Sequence, residues 1–420
     1  MAKIKKIISR EILDSRGDPA IEATVILADD SFGVFSTPSG LSTGKHEAVT
    51  LRDKDPARYS GKGVLQALEK IYSVIAPSIL GKDAAEQRKI DNIIIEADKT
   101  ADKSNLGANA MLAISGAVAK AQAQSQNAGL YKYINEISGL KLQRFEVPTP
   151  MFNILNGGLH GSGNVDFQEF LVVPKKSGSY SDNLRAGVEI YYHLKQTIAA
   201  HSGIITVGDE GGYAPTLYSN VDALKLIAEA IDAAHYQLGL DVFLSLDVAA
   251  TELKKEGSYK IKDRPIPLNS DEFIEFFTSL NSEYHFLSIE DPLAEDDWDD
   301  WKNLTEKIGN ETIIVGDDLI TTNLERLKKA KEEKACNGVI IKPNQAGTIS
   351  ETLDVVRYAK EANFRIVVSH RSGETNDDFI ADLAVGIGAD YAKFGAPARG
   401  ERVAKYNKLL EIEHELSKIS

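Results

Sequence analysis

The chain is poor in several things whose absence narrows its chemistry. Among 420 residues there is one cysteine, Cys336. An internal disulfide and a multi-thiolate metal site are therefore excluded, and any metal must be held by oxygen or histidine. No apolar run approaches the ~20 residues needed to cross a bilayer. Positive charge is also short: 48 Lys and Arg stand against 62 Asp and Glu, a net charge of -14. Broad nucleic-acid binding needs a basic face, so no nucleic-acid partner is expected. The opening Met1-Ala2-Lys3-Ile4-Lys5-Lys6 is basic, but Arg10, Glu11 and Asp14 follow too soon for the apolar core of a signal peptide. A cytoplasmic location is expected. The glycine-rich Pro38-Ser39-Gly40-Leu41-Ser42-Thr43-Gly44 lacks the lysine and spacing of a P-loop, which removes the nucleotide-binding reading.

What remains is a soluble globular composition, 43% hydrophobic and 26% charged. The length calls for two domains, one of which can be a large barrel. Up to about residue 140 the texture is mixed. Ile21–Leu27 alternates like a meander strand, Gly63–Ile79 has helical spacing, and the alanine-rich Asn105–Leu130 reads as one long helix closed near Gly129. From Val147 onward short β-rich runs alternate with amphipathic stretches. The runs are Val147–Leu155, Val165–Val173, Asp241–Asp247, Phe286–Glu290, Thr312–Asp317, Gly338–Lys342, Arg365–His370 and Asp390–Lys393. The first two leave no room for a helix between them; the later ones recur at the spacing of one strand plus one helix. Eight strands fit an α/β fold closed as a barrel, although a doubly wound open sheet would give similar local texture. The expected division is residues 1–140, an α+β domain, and 141–420, the barrel.

In such a barrel the functional face is at the C-terminal ends of the strands. Those ends carry Asp247, Glu290, Asp317, Lys342, His370 and Lys393. Three carboxylates without thiols suit a hard cation such as Mg2+. Lys342, Arg371 and Lys393 add positive charge for an anionic substrate, and Arg371 can clasp a phosphate in bidentate fashion. A lysine pressed between a metal site and other cations is expected to have a lowered pKa and to serve as a base. The same residues could instead form only an ion-pair network at the barrel mouth. Two glycine-rich segments add to the pattern. Gly208-Asp209-Glu210-Gly211-Gly212 makes a tight turn presenting a carboxylate, and the Asn156–Gly163 loop holds His160 as a lid or a linker.

With these residues placed, the chain resembles enolase along essentially its whole length. The matching segments are Glu11–Gly17, Ser39–Gly44, Val207–Gly212, Ser288–Asp291, Val315–Asp318 and Ser369-His370-Arg371-Ser372-Gly373-Glu374-Thr375, the last being highly specific. The resemblance implies an N-terminal α+β capping domain over a modified (β/α)8 TIM-type barrel of order ββαα(βα)6. It implies that Asp247, Glu290 and Asp317 bind one Mg2+ and that a second Mg2+ arrives with substrate, held in part by Ser42. Lys342 would take the C2 proton of 2-phosphoglycerate. Glu210 would protonate the departing C3 hydroxyl, with Glu169 nearby, to give phosphoenolpyruvate. Gln168, Arg371, Ser372 and Lys393 would hold substrate, with Arg371 and Ser372 at the phosphate, and His160 and His370 would complete the closed site. Crowding by Asp209 and Glu169 is expected to raise the pKa of Glu210 so that it can donate.

Some residues depart from the family pattern. Leu41 and Leu159 stand where small residues are usual, and Pro343 and Ala346 replace the common valine and isoleucine. None removes a chemical group from the expected set; the leucines bear on loop closure and hence on rate. A homodimer or higher homo-oligomer is implied, with Arg10 and Glu401 keeping one inter-subunit bridge while Glu22 facing Glu411 loses another. Two other readings compete. A racemase or ammonia lyase of the same superfamily would carry Lys-x-Lys on an early barrel strand, which is missing near Phe167–Val173. A binding role, as a surface plasminogen receptor or an RNA-processing component, would favour a C-terminal lysine, whereas the chain ends Lys418-Ile419-Ser420.

Overall fold

The computed structural model describes residues 2–40, 44–161, 163, 165–176, 178–201 and 205–418. Leu41, Ser42, Ile419 and Ser420 therefore lie outside the described residues.

The N-terminal part is an antiparallel meander, β1 (Ile4–Leu13), β2 (Pro19–Leu27) and β3 (Phe32–Ser36), covered by helices. Alternation along β2 turns one face inward, burying Ile21, Ala23, Val25 and Leu27 completely. That face packs on α2 (Ala108–Ser125), whose alanines and Gly116 allow a close approach: a Cβ at Gly116 would lie 2.4 Å from Phe35 Cδ2. The single long helix expected over 105–130 is two. α2 stops at Ser125, and Gly129 caps the start of α3 (Leu130–Ser138) rather than closing α2. Alanine favours helix but carries no stop signal, so the pattern of residue types does not mark the end at Ser125. The helical stretch over 65–79 is real but contains a π turn, Ile71–Ile75, just before Pro77, which has no N–H for a regular turn. A further helix, α1 (Gln87–Asp98), completes this part.

Eight strands then close a barrel in sequence order: β4 (Thr149–Asn156), β5 (Glu169–Pro174), β6 (Val242–Asp247), β7 (Ser288–Glu290), β8 (Ile313–Gly316), β9 (Gly338–Ile341), β10 (Arg365–Ser369) and β11 (Tyr391–Lys393). Closure removes the open-sheet alternative. β5 runs antiparallel to both neighbours, as it must when no crossover helix precedes it. Two helices, α4 (Tyr180–His201) and α5 (Asn220–Ala233), lead to β6. Thereafter each strand is followed by its helix: α6 (Ser270–Tyr284), α7 (Trp298–Ile308), α8 (Leu324–Glu333), α9 (Ile349–Glu361), α10 (Phe379–Gly386) and α11 (Gly400–Ser417). The order is the expected ββαα(βα)6.

Met151, Leu171, Val173, Val315, Ile340 and Val367 fill the barrel interior as a separate apolar cluster. They form a dry floor, and the polar strand ends sit above it. The N-terminal part roofs that mouth through backbone pairing. Ser39 and Gly373 exchange hydrogen bonds of 2.7 and 2.9 Å, and Ala48 N–H donates to Gln345 O at 3.0 Å. Asp14 accepts from Ser39 Oγ at 2.6 Å, bracing the roof loop from below. Among the described residues no helix is long and apolar enough to cross a membrane.

Candidate active site at the barrel mouth

The sheet register lines up Glu169, Asp247 and Glu290 on three adjacent strands. Glu169 joins this row because β5 is reversed: its first residue, not its last, reaches the mouth. Asp317 follows β8, Lys342 follows β9, His370 to Ser372 follow β10, and Lys393 ends β11. His160, Gln168, Glu169, Glu210, Asp247, Asp317, Lys342, His370, Arg371, Ser372 and Lys393 line one enclosed cavity. Glu290 lies beside it, bound to Lys393. Of the expected site residues, Ser42 alone falls outside the described positions. The cavity is only ≈ 20 Å3, room for about one water. A larger cleft of ≈ 680 Å3 lies against Glu47 and Gln345 but gathers no such set of groups.

The space is small because the charges hold one another. Lys393 Nζ donates to Glu290 at 2.7 Å and Asp247 at 3.1 Å and lies 3.2 Å from Glu169. Lys342 is bound to Asp317, which also accepts from Gln345 at 3.0 Å. Arg371 is clasped by Glu47, Nη1 to Oε2 at 2.8 Å and Nη2 to Oε1 at 3.2 Å. The ion-pair network considered from the sequence thus exists, and it is built from the same residues as the constellation. In low dielectric each pair offsets a desolvation penalty that either partner alone could not meet.

The opposite wall is different. Glu210 accepts from Asn153 Nδ2 at 2.9 Å and lies 3.3 Å from His370 Nε2. His160 Nδ1 sits 3.5 Å from Glu210 and 3.8 Å from Glu169, and neither ring nitrogen of His160 has a hydrogen-bond partner among the described residues.

The protein groups by themselves shift two of these side chains the other way from the expectation. Burial pulls the Lys342 pKa down, but the Asp317 carboxylate more than reverses this, and the net shift is upward. Burial pushes Glu210 up, but His160, His370 and Arg402 carry it well below the usual carboxylate range. Its neighbour Glu169 moves the other way: burial and the Glu210 charge raise it well above that range, against Lys393. The neighbours thus bias a proton shared by the pair toward Glu169. Two like charges in one buried site cannot both ionise freely, and the member with the more favourable neighbours keeps the charge.

The donor chemistry of Asp247, Glu290 and Asp317 suits a hard divalent cation, although their oxygens are not gathered about one point. The donors are all carboxylate oxygens at one mouth, and Glu290 Oε1 is buried without a hydrogen-bond partner among the described residues. The side chains that converge within 4.8 Å are two other groups, His160 with Glu169 and Glu210, and Asp291 with Asp317 and Asp318. The expected trio is separated here because Lys393 lies between Asp247 and Glu290 and Lys342 holds Asp317.

Several residues of this mouth escaped the sequence reading. Glu47 comes from the roof, Asn153 from mid-strand and Arg402 from α11. Each is a single polar residue in a stretch with no motif spacing of its own. Asp318 was visible only as a neighbour of Asp317; burial and Asp317 push its carboxyl up to about 8.

A closed β/α barrel that opens with ββαα and is roofed by a small α+β part defines a two-domain barrel protein with its candidate site at the C-terminal mouth of the barrel. Residues 144–420 match the family model for the enolase C-terminal TIM barrel domain, and residues 4–134 match that for the enolase N-terminal domain. The chain belongs to the enolase family.

Proposed function

We propose that this chain catalyses the reversible dehydration of 2-phosphoglycerate to phosphoenolpyruvate, as a glycolytic and gluconeogenic hydro-lyase. The observation that carries the reading is one small cavity lined together by Lys342, the Glu169–Glu210 pair, Asp247, Asp317 and Arg371.

A proton α to a carboxylate is very weakly acidic, and its removal adds a second negative charge to that carboxylate. Mg2+ held by Asp247, Glu290 and Asp317, with a second ion assisted by Ser42, would supply Lewis-acid stabilisation of that charge, the pattern general to sites with a Lys base and one or two Mg2+. Lys342, as the neutral amine, takes the C2 proton. The C2–H electron pair is first delocalised into the carboxylate as an enolate, then forms the C2=C3 bond as the C3–O bond breaks. Glu210 relays to the departing oxygen a proton that it takes over from Glu169, and the oxygen leaves as water. Arg371 and Ser372 hold the phosphate, with Gln168, Lys393, His160 and His370 closing around the rest. Because Arg371 is occupied by Glu47, substrate binding is an exchange of one anion for another at the guanidinium.

The deciding experiment follows phosphoenolpyruvate formation from 2-phosphoglycerate with Mg2+, with chelator, and in Lys342→Ala. Expected are metal-dependent turnover and a fall in kcat of about 10²–10⁴-fold in the variant. A folded, Mg2+-loaded protein that makes no phosphoenolpyruvate refutes the reading.

We further propose a cytoplasmic homodimer. Ile8 and Leu13 stand exposed on β1, which supports a partner there. Within the chain Arg10 pairs with Glu22 at 2.7 Å and Glu401 with Arg399 at 3.2 Å. The Arg10–Glu401 bridge therefore requires both to exchange partners. Exposed bridges contribute only about 0–1 kcal/mol each, so the apolar surface carries the association.

A further inference from the structure

Arg402 is an unusual residue for its place. It lies in the first turn of α11, where the helix dipole disfavours a cation, and it is fully buried. A leucine or methionine would fill such a position without the desolvation cost of a guanidinium. What the guanidinium supplies is a fan of donors. Nη1 reaches His370 Nδ1 at 2.5 Å and Arg371 O at 2.6 Å. Nη2 donates to Ser372 O at 2.6 Å and Asp209 O at 3.4 Å. One side chain thereby joins the segment after β10 to the glycine-rich turn that carries Glu210. Gly395 leaves room for this meeting: at its φ of +89° a Cβ would come within 3.0 Å of the His370 ring and 3.1 Å of Arg402 Cδ.

The contact with His370 has a chemical consequence. Arginine keeps all its protons and can only donate, so Nδ1 must accept and carries no hydrogen. The ring proton of a neutral imidazole is then on Nε2, the atom 3.3 Å from Glu210 Oε2. The opposite tautomer would set two donors against each other and turn a lone pair toward the carboxylate.

We propose that Arg402 is a positioning residue that locks His370 in the Nε2–H tautomer and aims that N–H at Glu210, while setting the backbone of Arg371 and Ser372. At 3.3 Å this N–H stands beside Glu210 without a formed hydrogen bond, so a small movement of either side chain completes it. Only the kinetic arm of the test rests on the proposed dehydration; the tautomer can be read whatever the protein turns over.

The test is a long-range 15N–1H correlation spectrum of the histidine-labelled protein, with His370 assigned by the signal missing in His370→Asn among the 8 histidines. Expected near neutral pH is a protonated Nε2 and a bare Nδ1. An Nδ1–H tautomer or an imidazolium at that pH overturns the proposal, and this arm needs no Arg402 variant to fold. In Arg402→Lys, which keeps the charge but loses the planar fork, the His370 signal is expected to become a mixture of tautomers. There kcat is expected to fall about ten- to a hundredfold, as for loss of other ring-orienting partners, with a smaller change in KM. If the folded Arg402→Lys protein keeps a pure Nε2–H signal, the arginine is structural and the proposal fails.

Discussion

The two walls of the barrel mouth handle buried charge in opposite ways. On the Lys342 wall every cation is matched by a carboxylate: Lys342 by Asp317, Arg371 by Glu47, Lys393 by Asp247 and Glu290. Pairing raises the pKa of Lys342, Arg371 and Lys393 above their ordinary values despite burial. On the Glu210 wall no lysine is matched to Glu210. Two histidines and two carboxylates divide the charge by proton position, Glu169 moved up and Glu210 down, and burial pushes His370 down to about 3. One wall holds its charges by lysine and arginine ion pairs, the other by histidine and amide neighbours and by the position of a proton. A wall of the first kind changes when an anion competes for its cations; one of the second kind changes when a proton moves.

The largest test of this contrast compares Glu210→Gln with Glu169→Gln. Glutamine resembles a protonated acid, so it suits position 169 and conflicts with position 210. On the proposed chemistry Glu210→Gln is expected to lower kcat by about 10²–10⁴-fold. Glu169→Gln is expected to unfold thermally at or above the wild-type temperature at pH 7, whereas Glu210→Gln unfolds below it. Equal melting temperatures for the two variants would break the assignment of the proton to Glu169.

Next in size is Glu47→Gln. It leaves the buried Arg371 guanidinium without its matched charge, and breaking a buried pair from one side costs about 3–5 kcal/mol. Denaturant unfolding should show that loss, and added inorganic phosphate should restore more stability to the variant than to the wild type. A variant that phosphate does not rescue would mean that the paired wall is not open to anion exchange.

The smallest effect is away from the mouth and tests whether desolvation alone governs a carboxylate. Asp382 on α10 accepts from Tyr131 N–H of α3 at 3.1 Å, and burial raises its pKa to about 7. A group raised on folding contributes stability that is fully present below its unfolded value near 4 and is lost as pH rises through 7. Asp382→Asn, which keeps the acceptor, should flatten the stability profile over that window and leave kcat unchanged. An unaltered profile would show that Asp382 is not the group responsible.

Much of this molecule was legible locally. Apolar runs such as Phe-Leu-Ser-Leu-Asp247 and Ile-Ile-Val-Gly-Asp317 mark buried strands that end in one charge, and eight of them closed as expected. Asp247, Glu290, Asp317, Lys342, His370 and Lys393 could be placed at one face for that reason. Helix ends were less legible, as the break after Ser125 shows, because alanine continues a helix without saying where it stops.

The sequence by itself determined the kinds of groups available. One cysteine leaves oxygen and nitrogen as ligands, and the strand-end carboxylates and cations are written in short-range hydrophobic patterning, which a chain expresses wherever it folds. Only the tertiary structure decided how those groups pair. It reversed β5 and so brought Glu169 beside Asp247. It carried Glu47 from the roof to Arg371 and Arg402 from the last helix to His370. It also set which neighbours act on Lys342 and Glu210, Asp317 raising the one and His160, His370 and Arg402 lowering the other. Such outcomes depend on distance and desolvation between residues up to hundreds of positions apart, and no local pattern of residue types encodes them.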